Sequence, residues 1–461
     1  MSATLVLSQS VQDELSAIAA QPLETAGVLL CGVVRLGAGD IRLLARDFIP
    51  VPDGAYMERS VDSMSISSDG YVPALARAET LGATALWVHC HPGLGASPMA
   101  SELDRVVDRE LASTFRLRSG SDFYGALIVS PRADGLAFTG HVAADGGMRV
   151  TIDRMWLAGS RFRLTQADGT ALPTILERFD RNVRAFGPAI QGTLGQLRIV
   201  IVGCGGTGSS VAEQLVRLGV RSFLLIDPDV LSDSNVTRVY GSAPADVGKA
   251  KVEVLADHLK RIAPDVKIEA VQSMVTVAAT AKRLIPYDLV FGCTDDNAGR
   301  LVLSRVPTFL LTPLIDCGVL LSSQEDGTLT GIDGRVTVVA PEHACLLCRG
   351  RIDVARAAAE FMDPHERRKL QHEGYAPALG QVEPAVVAFT TLVAATAVSE
   401  MLERLIGYGP EPRPGEVLLR LHERETSTNI ATPRAGHYCS ESSSKLGSGV
   451  GDAFLDLAWV Q

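Results

Sequence analysis

The sequence predicts an α/β protein of two domains, an N-terminal α/β domain followed by a doubly wound parallel sheet. Three observations carry this. The run 197–202, LRIVIV, is apolar apart from Arg198 and ends in four β-branched residues, as in a parallel strand buried on both faces. It leads directly into Gly203-Cys204-Gly205-Gly206-Thr207-Gly208, and a second apolar run, 222–226, ends at Asp227. Far upstream, a separate alternation of helix and strand patterns leads to His89-Cys90-His91. A chain of 461 residues has room for two or three cores of ordinary size.

Composition excludes several classes. A net charge of −10 argues against a nucleic-acid surface. The eight cysteines are scattered apart from Cys345 and Cys348, which fits a reducing compartment and metal or catalytic roles better than a disulfide scaffold. The first twenty residues carry Asp13 and Glu14 and no basic stretch, so they do not read as a secretory signal. The apolar stretch 385–401 is broken by Thr390, Thr391, Thr396, Ser399 and Glu400 and falls short of the ~20 apolar residues a membrane span needs. It reads as a core or subunit-interface helix. The expectation is a cytoplasmic protein with no membrane and no nucleic-acid partner.

In chain order, the first domain is expected over residues 1–150. Its patterns are strand 4–7, helix 11–20, strand 25–34, a mixed segment, helix 71–81, strand 84–89, helix 101–114 and strand 125–130. His89 and His91 alternate along a strand end, so both rings face one side. Ser101 and Asp104 lie three apart on the first turn of a helix and share a face. Two imidazoles and a carboxylate form a three-ligand zinc set whose fourth position is left to water. Zinc lowers the pKa of that water to about 7. A carboxylate base is then needed, and Glu24, just before strand 25–34, is the candidate; Ser101 is placed to stabilise an oxyanion.

Glu24 before Gly27-Val28-Leu29-Leu30-Cys31-Gly32, then His89, His91 and Pro92, then Ser101 and Asp104, resemble the pattern of the JAMM/MPN zinc metallopeptidases. The loop from His91 to Ser101 is longer than usual in that pattern, which brings Ser97 into view, although Asp104 fits only with Ser101. The resemblance implies a peptidase that cuts after the C-terminal glycine of a ubiquitin-like protein.

Residues 151–177 are expected to be a linker. Glycines 203, 205 and 208 match G-x-G-x-x-G, the turn that lets backbone approach phosphate at a helix N-terminus. Gly206 lies within it. Asp227 is the acid that can take a ribose. A nicotinamide-dependent oxidoreductase would share these features, but would have no use for the ordered residues that follow.

Those residues are Asp227, Asp229, Ser234, Asn235 and Arg238, then Val247-Gly248 and Lys251, then Cys293-Thr294-Asp295-Asp296 and Arg300. They resemble the D-x-D…S-N-L-x-R, V-G-x-x-K and C-T-D-N-x-x-x-R motifs of the ThiF/MoeB/ubiquitin-activating superfamily. Arg178-Phe179-Asp180-Arg181-Asn182 resembles its R-Y-N-R-Q element. This resemblance implies a Rossmann-like adenylation domain over 178–438 that uses ATP and Mg²⁺. Arg181 would reach the phosphates, often from a second subunit of a homodimer; Arg238 and Lys251 would serve the triphosphate. Asp295, counted back from Arg300, would hold the metal. The partner would be a ubiquitin-like or sulfur-carrier protein with a C-terminal glycine, and a conjugating enzyme where the acyl group moves on.

In the same superfamily, C-x-x-C at Cys345 and Cys348 is half of a structural zinc site. His437 and Cys439 would complete four ligands with an unusual spacing. From Arg349 to Phe389 there is no Cys, Ser or Thr, so the usual thioester position has no nucleophile. Cys317 ends a strand and reads as packed. Either the chemistry stops at the adenylate or another thiol takes over. Protein conjugation and sulfur transfer both remain open, as does a non-catalytic scaffold for ubiquitin-like tails. Residues 439–461 read as a tail, Ser/Gly-rich and loose in its first half.

Overall fold

In the computed structural model, which describes residues 1–93, 98–133, 135–167, 175–324, 328–362, 385–440, 443–451 and 453–459, the chain divides into two units. One holds Met1–Ala171, Phe309–Leu311 and Ser444–Asp452; the other holds the remainder.

The first unit runs β1 (Ala3–Leu7), α1 (Gln9–Ala19), β2 (Ala26–Arg35), β3 (Ile41–Pro50), a hairpin of β4 (Tyr56–Arg59) and β5 (Met64–Ile66), α2 (Val72–Leu81), β6 (Thr84–Cys90) and α3 (Glu102–Ser119). A meander follows, β7 (Phe123–Arg132), β8 (Gly135–Ala144), β9 (Arg149–Ala158) and β10 (Phe162–Gln166). The sheet order is β1-β3-β2-β6-β7-β8-β9-β10, and β1 also pairs in parallel with β9, so the sheet closes on itself.

Both faces of this sheet are buried along β2 and β6, which are apolar except at Arg35, Thr84 and His89. Leu29, Cys31, Leu86, Val88 and Cys90 pack on one side with Val11, Leu15 and Ile18 of α1. Val28, Leu30, Ala85 and Trp87 pack on the other with Ala74, Leu75 and Ala78 of α2 and Phe115 of α3. By alternation, His89 shares the side of Trp87 and so faces α3.

Two expectations need correction. The boundary placed at residue 150 falls inside β9, and residues 149–166 are strands of the first unit rather than a linker. Gly146 and Gly147, both at φ +91, turn the chain from β8 into β9. The expected loose tail is also built in: Arg46 donates from Nε to the Leu446 carbonyl (3.0 Å) and from Nη2 to that of Ser444 (2.6 Å). The Gly447 carbonyl lies where a Cβ on Gly32 would sit, at 2.1 Å.

The second unit opens with α4 (Asp180–Gln196), broken at Gly187-Pro188, where Gly187 has φ +83. Then come β11 (Arg198–Val202), α5 (Gly206–Leu218), β12 (Ser222–Ile226), α6 (Lys251–Ile262), β13 (Lys267–Val271), α7 (Ala278–Lys282), β14 (Leu289–Gly292), α8 (Asn297–Leu310), β15 (Leu314–Ser323), β16 (Leu329–Val339), α9 (Val354–Phe361), α10 (Val387–Ile406), β17 (Glu416–Arg420) and β18 (Glu425–Asn429). The sheet runs β13-β12-β11-β14-β15-β16-β17-β18. Its first five strands are parallel and the last three antiparallel. Strand order reverses at β11, between β12 and β14, and ligands of such sheets bind at the carboxyl ends of the strands at that point.

α10 covers the apolar stretch seen in the sequence. It buries Val393, Ala394, Ala397, Val398 and Met401 and packs on α5, β15 and β16. No helix of the described residues is long and apolar enough to cross a membrane.

Candidate functional sites

In the first unit, β6 ends at Cys90 and delivers His89 and His91 to one place. Ser101 caps α3: its Oγ accepts from the Asp104 N–H (3.1 Å), and Asp104 Oδ2 accepts from the Ser101 N–H (2.7 Å). This capping box fixes the first turn. It also aims Asp104 at the two imidazoles, with Oδ1 3.2 Å from His89 Nε2 and Oδ2 3.5 Å from His91 Nε2. The two Nε2 atoms are 3.3 Å apart. One ligand atom from each of His89, His91 and Asp104 lies within 4.8 Å of the others. Burial pushes the Asp104 carboxyl up, but hydrogen bonds from the two histidines outweigh it and hold it well below the carboxylate range. Hydrogen bonding to Asp104 raises His91.

Glu24 stands beside the cluster, its Oε1 3.8 Å from His91 Nε2. It is 7% exposed. Burial raises its pKa, with the two histidines pulling the other way. Its backbone is held by Arg59, whose Nε donates to the Glu24 carbonyl (2.7 Å) from the β4–β5 hairpin. Nothing in the sequence marked Arg59, because the hairpin carries no motif. Ser97, the rival to Ser101, lies outside the described residues.

In the second unit, the glycine turn and the strand ends beside it line a cavity of about 930 Å³. Gly203 has φ +90, and a Cβ there would meet the Cys293 carbonyl at 2.5 Å; one on Gly208 would meet the Gly203 carbonyl at 1.8 Å. Both positions therefore require glycine. Gly205 precedes α5, whose N-terminal N–H groups begin at Gly206.

Asp227 builds the turn. Its Oδ2 accepts from the Cys204 N–H (2.6 Å) and its Oδ1 from the Asp229 N–H (2.9 Å). Burial raises its pKa, while Lys251 and these N–H groups lower it. Asp229 pairs with Lys251 Nζ at 2.7 Å. Asn235 caps its short turn, its Oδ1 accepting from the Ser232 N–H (3.1 Å), and Arg238 Nη1 donates to the Ser234 carbonyl (2.9 Å). Gly203, Gly205, Gly206, Asp227, Asp229, Arg238, Lys251, Asp295 and Asp296 all line the cavity; Asn235 and Gly208 stand behind it as supports.

The two neighbouring aspartates divide their work. Asp296 caps α8, accepting from the Thr294 hydroxyl and the Gly299 N–H. Asp295 is exposed within the cavity wall, and among the described residues its carboxylate makes no hydrogen bond. On the far wall the sequence singled out Arg300 but not its setting: Arg335 Nη2 pairs with buried Asp316 Oδ2 at 2.7 Å, and Arg300 Nε stands 3.6 Å from its Oδ1. Cys293 and Cys317 line the same space, Cys317 only 3% exposed. Arg181 lies exposed on α4 and is not part of this wall.

Cys345, Cys348, His437 and Cys439 meet within the second unit. His437 Nδ1 lies 3.6, 3.4 and 3.2 Å from the sulfurs of Cys345, Cys348 and Cys439, and Cys348 Sγ is 3.6 Å from Cys439 Sγ. Tetrahedral zinc with Zn–S near 2.3 Å and Zn–N near 2.0 Å sets its ligands roughly 3.5–3.8 Å apart. A hydrogen bond from Cys439 brings the Cys345 thiol down to about 4.

The model of the ThiF family matches residues 179–440 and leaves nearly all of the first unit outside it. The SAMP-activating enzyme E1 of Haloferax volcanii is 29% identical over 177 residues, 38% of this chain and 62% of its own length. Molybdopterin-synthase adenylyltransferase of Escherichia coli is 28% identical over 247 residues, 52% of this chain and 86% of its own. The chain thus spans less than two thirds of the first of these relatives. Among solved structures, E. coli MccB with succinimide covers 57% of this chain and 74% of its own at 17% identity, with a TM-score of 0.44.

Proposed function

The chain belongs to the ThiF family, and from that premise we propose that its second unit adenylates the C-terminal glycine of a ubiquitin-like or sulfur-carrier protein. The observation that carries this is convergence: the glycine turn, Lys251, Arg238 and the uncommitted Asp295 line one cavity at the strand-order reversal. The partner's carboxylate attacks the α-phosphorus of ATP. The bond to the bridging oxygen breaks, giving an acyl-adenylate and pyrophosphate. Little covalent chemistry is asked of the protein, only positioning and charge balance. The turn and the α5 N-terminus receive phosphate, and Lys251 and Arg238 offset charge as pyrophosphate leaves. Asp295 would hold Mg²⁺, an ion that needs only one or two carboxylates beside phosphate oxygens. Arg181 would act from a second copy in a homodimer.

For the first unit we propose a zinc peptidase that trims or releases the same kind of partner after glycine. What supports it is the donor set of His89, His91 and Asp104, with buried Glu24 at its edge. Zinc held there would supply an acidified water. Glu24, its pKa raised by burial, would be the base that carries a proton on its carboxylate towards the leaving amine, and the Ser101 hydroxyl would stabilise the oxyanion. Cys345, Cys348, His437 and Cys439 would hold a second, structural zinc.

Intact-mass spectrometry of candidate ubiquitin-like proteins tests both heads. Trimming after a glycine without ATP, lost in Glu24→Gln, is expected of the first. An AMP-sized gain with Mg-ATP, reduced about 10²–10³-fold in Lys251→Ala or Asp295→Ala, is expected of the second. No AMP-sized gain on any candidate would sink the adenylation assignment, and a gain that Lys251→Ala leaves unchanged would remove Lys251 from it.

A further inference from the structure

α3 carries Asp104 in its first turn, yet little apolar packing holds that end. Only Phe115 and Ser119, in its last two turns, are buried. Leu103 and Val106 are 56% and 40% exposed. A ligand on so lightly packed a turn would move with it, and a metal site needs its donors held closely.

Beyond the capping box, a polar anchor reaches this half of the helix. Asp108 lies four residues after Asp104, on the same face, and its side chain is only 13% exposed. Arg149, from β9, donates from both Nη1 and Nη2 to Asp108 Oδ2 at 3.3 Å. His141, from β8, stands with Nε2 3.5 Å from Asp108 Oδ1. Arg149 Nη2 also donates to His141 Nδ1 at 3.0 Å. That nitrogen must then be the acceptor, which leaves the proton on Nε2, and Nε2 faces Asp108 Oδ1 without hydrogen-bonding to it. The Tyr124 hydroxyl of β7 is buried beside the same carboxylate. Three successive strands thus converge on one side chain of α3.

We propose that Asp108 is the positioning residue for the zinc ligand Asp104, clamped by Arg149 and backed by His141, so that the meander sets the carboxylate against His89 and His91. This rests on the zinc reading of the first unit and goes beyond it. Supporting groups around a metal site commonly carry 10–100-fold of its metal affinity. Because Asp108 acts through one turn of helix, about tenfold is expected.

The test uses the full chain, stripped of metal and titrated with zinc against a chelator. Binding should resolve into a tight class at the thiolate cluster and a weaker class at the histidine–carboxylate set. Asp104→Asn, the ligand control, should weaken the second class. Asp108→Asn should weaken it about tenfold, leave the tight class unchanged, and alter the cobalt absorption of the second class. Arg149→Lys keeps the charge but loses the fork, folds readily because Arg149 is 59% exposed, and should show an intermediate loss. Phe115→Leu, which loosens α3 by packing alone, should lower the melting temperature without that spectral change. If Asp104→Asn weakens the second class while Asp108→Asn and Arg149→Lys leave its affinity and spectrum as in the parent chain, the positioning role is overturned. If Asp104→Asn has no effect on zinc, the zinc reading fails and the positioning role with it.

Discussion

Two glycines of the same turn make opposite demands. A methyl on Gly208 would overlap the Gly203 carbonyl at 1.8 Å, whereas one on Gly205 meets nothing within 4 Å. Gly208→Ala should therefore abolish ATP binding in a titration calorimeter and lower the melting temperature; Gly205→Ala should bind ATP within a few-fold of the parent chain. The motif announces both glycines equally, and only the packing tells them apart. His141 illustrates a second residue-scale effect. Burial is the main cause that lowers its pKa to about 4, with Arg149 adding to it and Asp108 opposing, against about 6.5 when unfolded. Between those values the unfolded chain binds more protons, so this stability is fully present above about pH 6.5 and lost as pH falls toward 4. Replacing the ring by glutamine removes the titration. The stability of the parent relative to His141→Gln, measured by denaturant, should fall by on the order of 2 kcal/mol between pH 7 and pH 4.

At the scale of elements, the four-ligand cluster ties the turn after β16 to the segment after β18. Cys345 and Cys348 come from one, His437 and Cys439 from the other. Metal bound there closes a loop of some length, so its removal acts on folding free energy directly. Cys348→Ser, or a strong chelator, should lower the melting temperature of the second unit by several degrees in calorimetry, while leaving the affinity for zinc at His89, His91 and Asp104 unchanged. Much of this was legible in advance. Strand, turn, helix, strand and acid are local patterns, and His89, His91 and Asp104 announce themselves by i,i+2 and i,i+3 spacing. What stayed illegible is non-local. Arg149, His141 and Asp108 are far apart in sequence and belong to no motif. Arg335 and Asp316 are an unremarkable pair until β15 and β16 align Asp316 two residues from Gly318, opposite Arg335. The distinct roles of Asp295 and Asp296 depended on which carboxylate the α8 N-terminus would claim, and a count from Arg300 cannot say that.

At the scale of the whole molecule, each proposed head draws its named residues from one unit with its own sheet. Glu24→Gln should leave ATP–pyrophosphate exchange as in the parent chain, and Lys251→Ala should leave trimming intact; loss of both activities in either variant would contradict this division. The boundary expected at residue 150 falls too early because β9 and β10 mix apolar and basic residues, and their purpose is invisible until β9 meets β1. Ala3 pairs with Ile152 and Leu7 with Leu157, and no local pattern encodes a partner so distant.

That pairing also sets a timetable. A ribosome adding roughly 5–20 residues per second leaves the β1 edge without β9 for on the order of ten seconds. Until then the first unit is an open curl with raw strand edges, the state most prone to pair with a neighbouring nascent chain. The same late closure gives the unit a high contact order, and its refolding should be slow, on the millisecond-to-second side of the range for small domains.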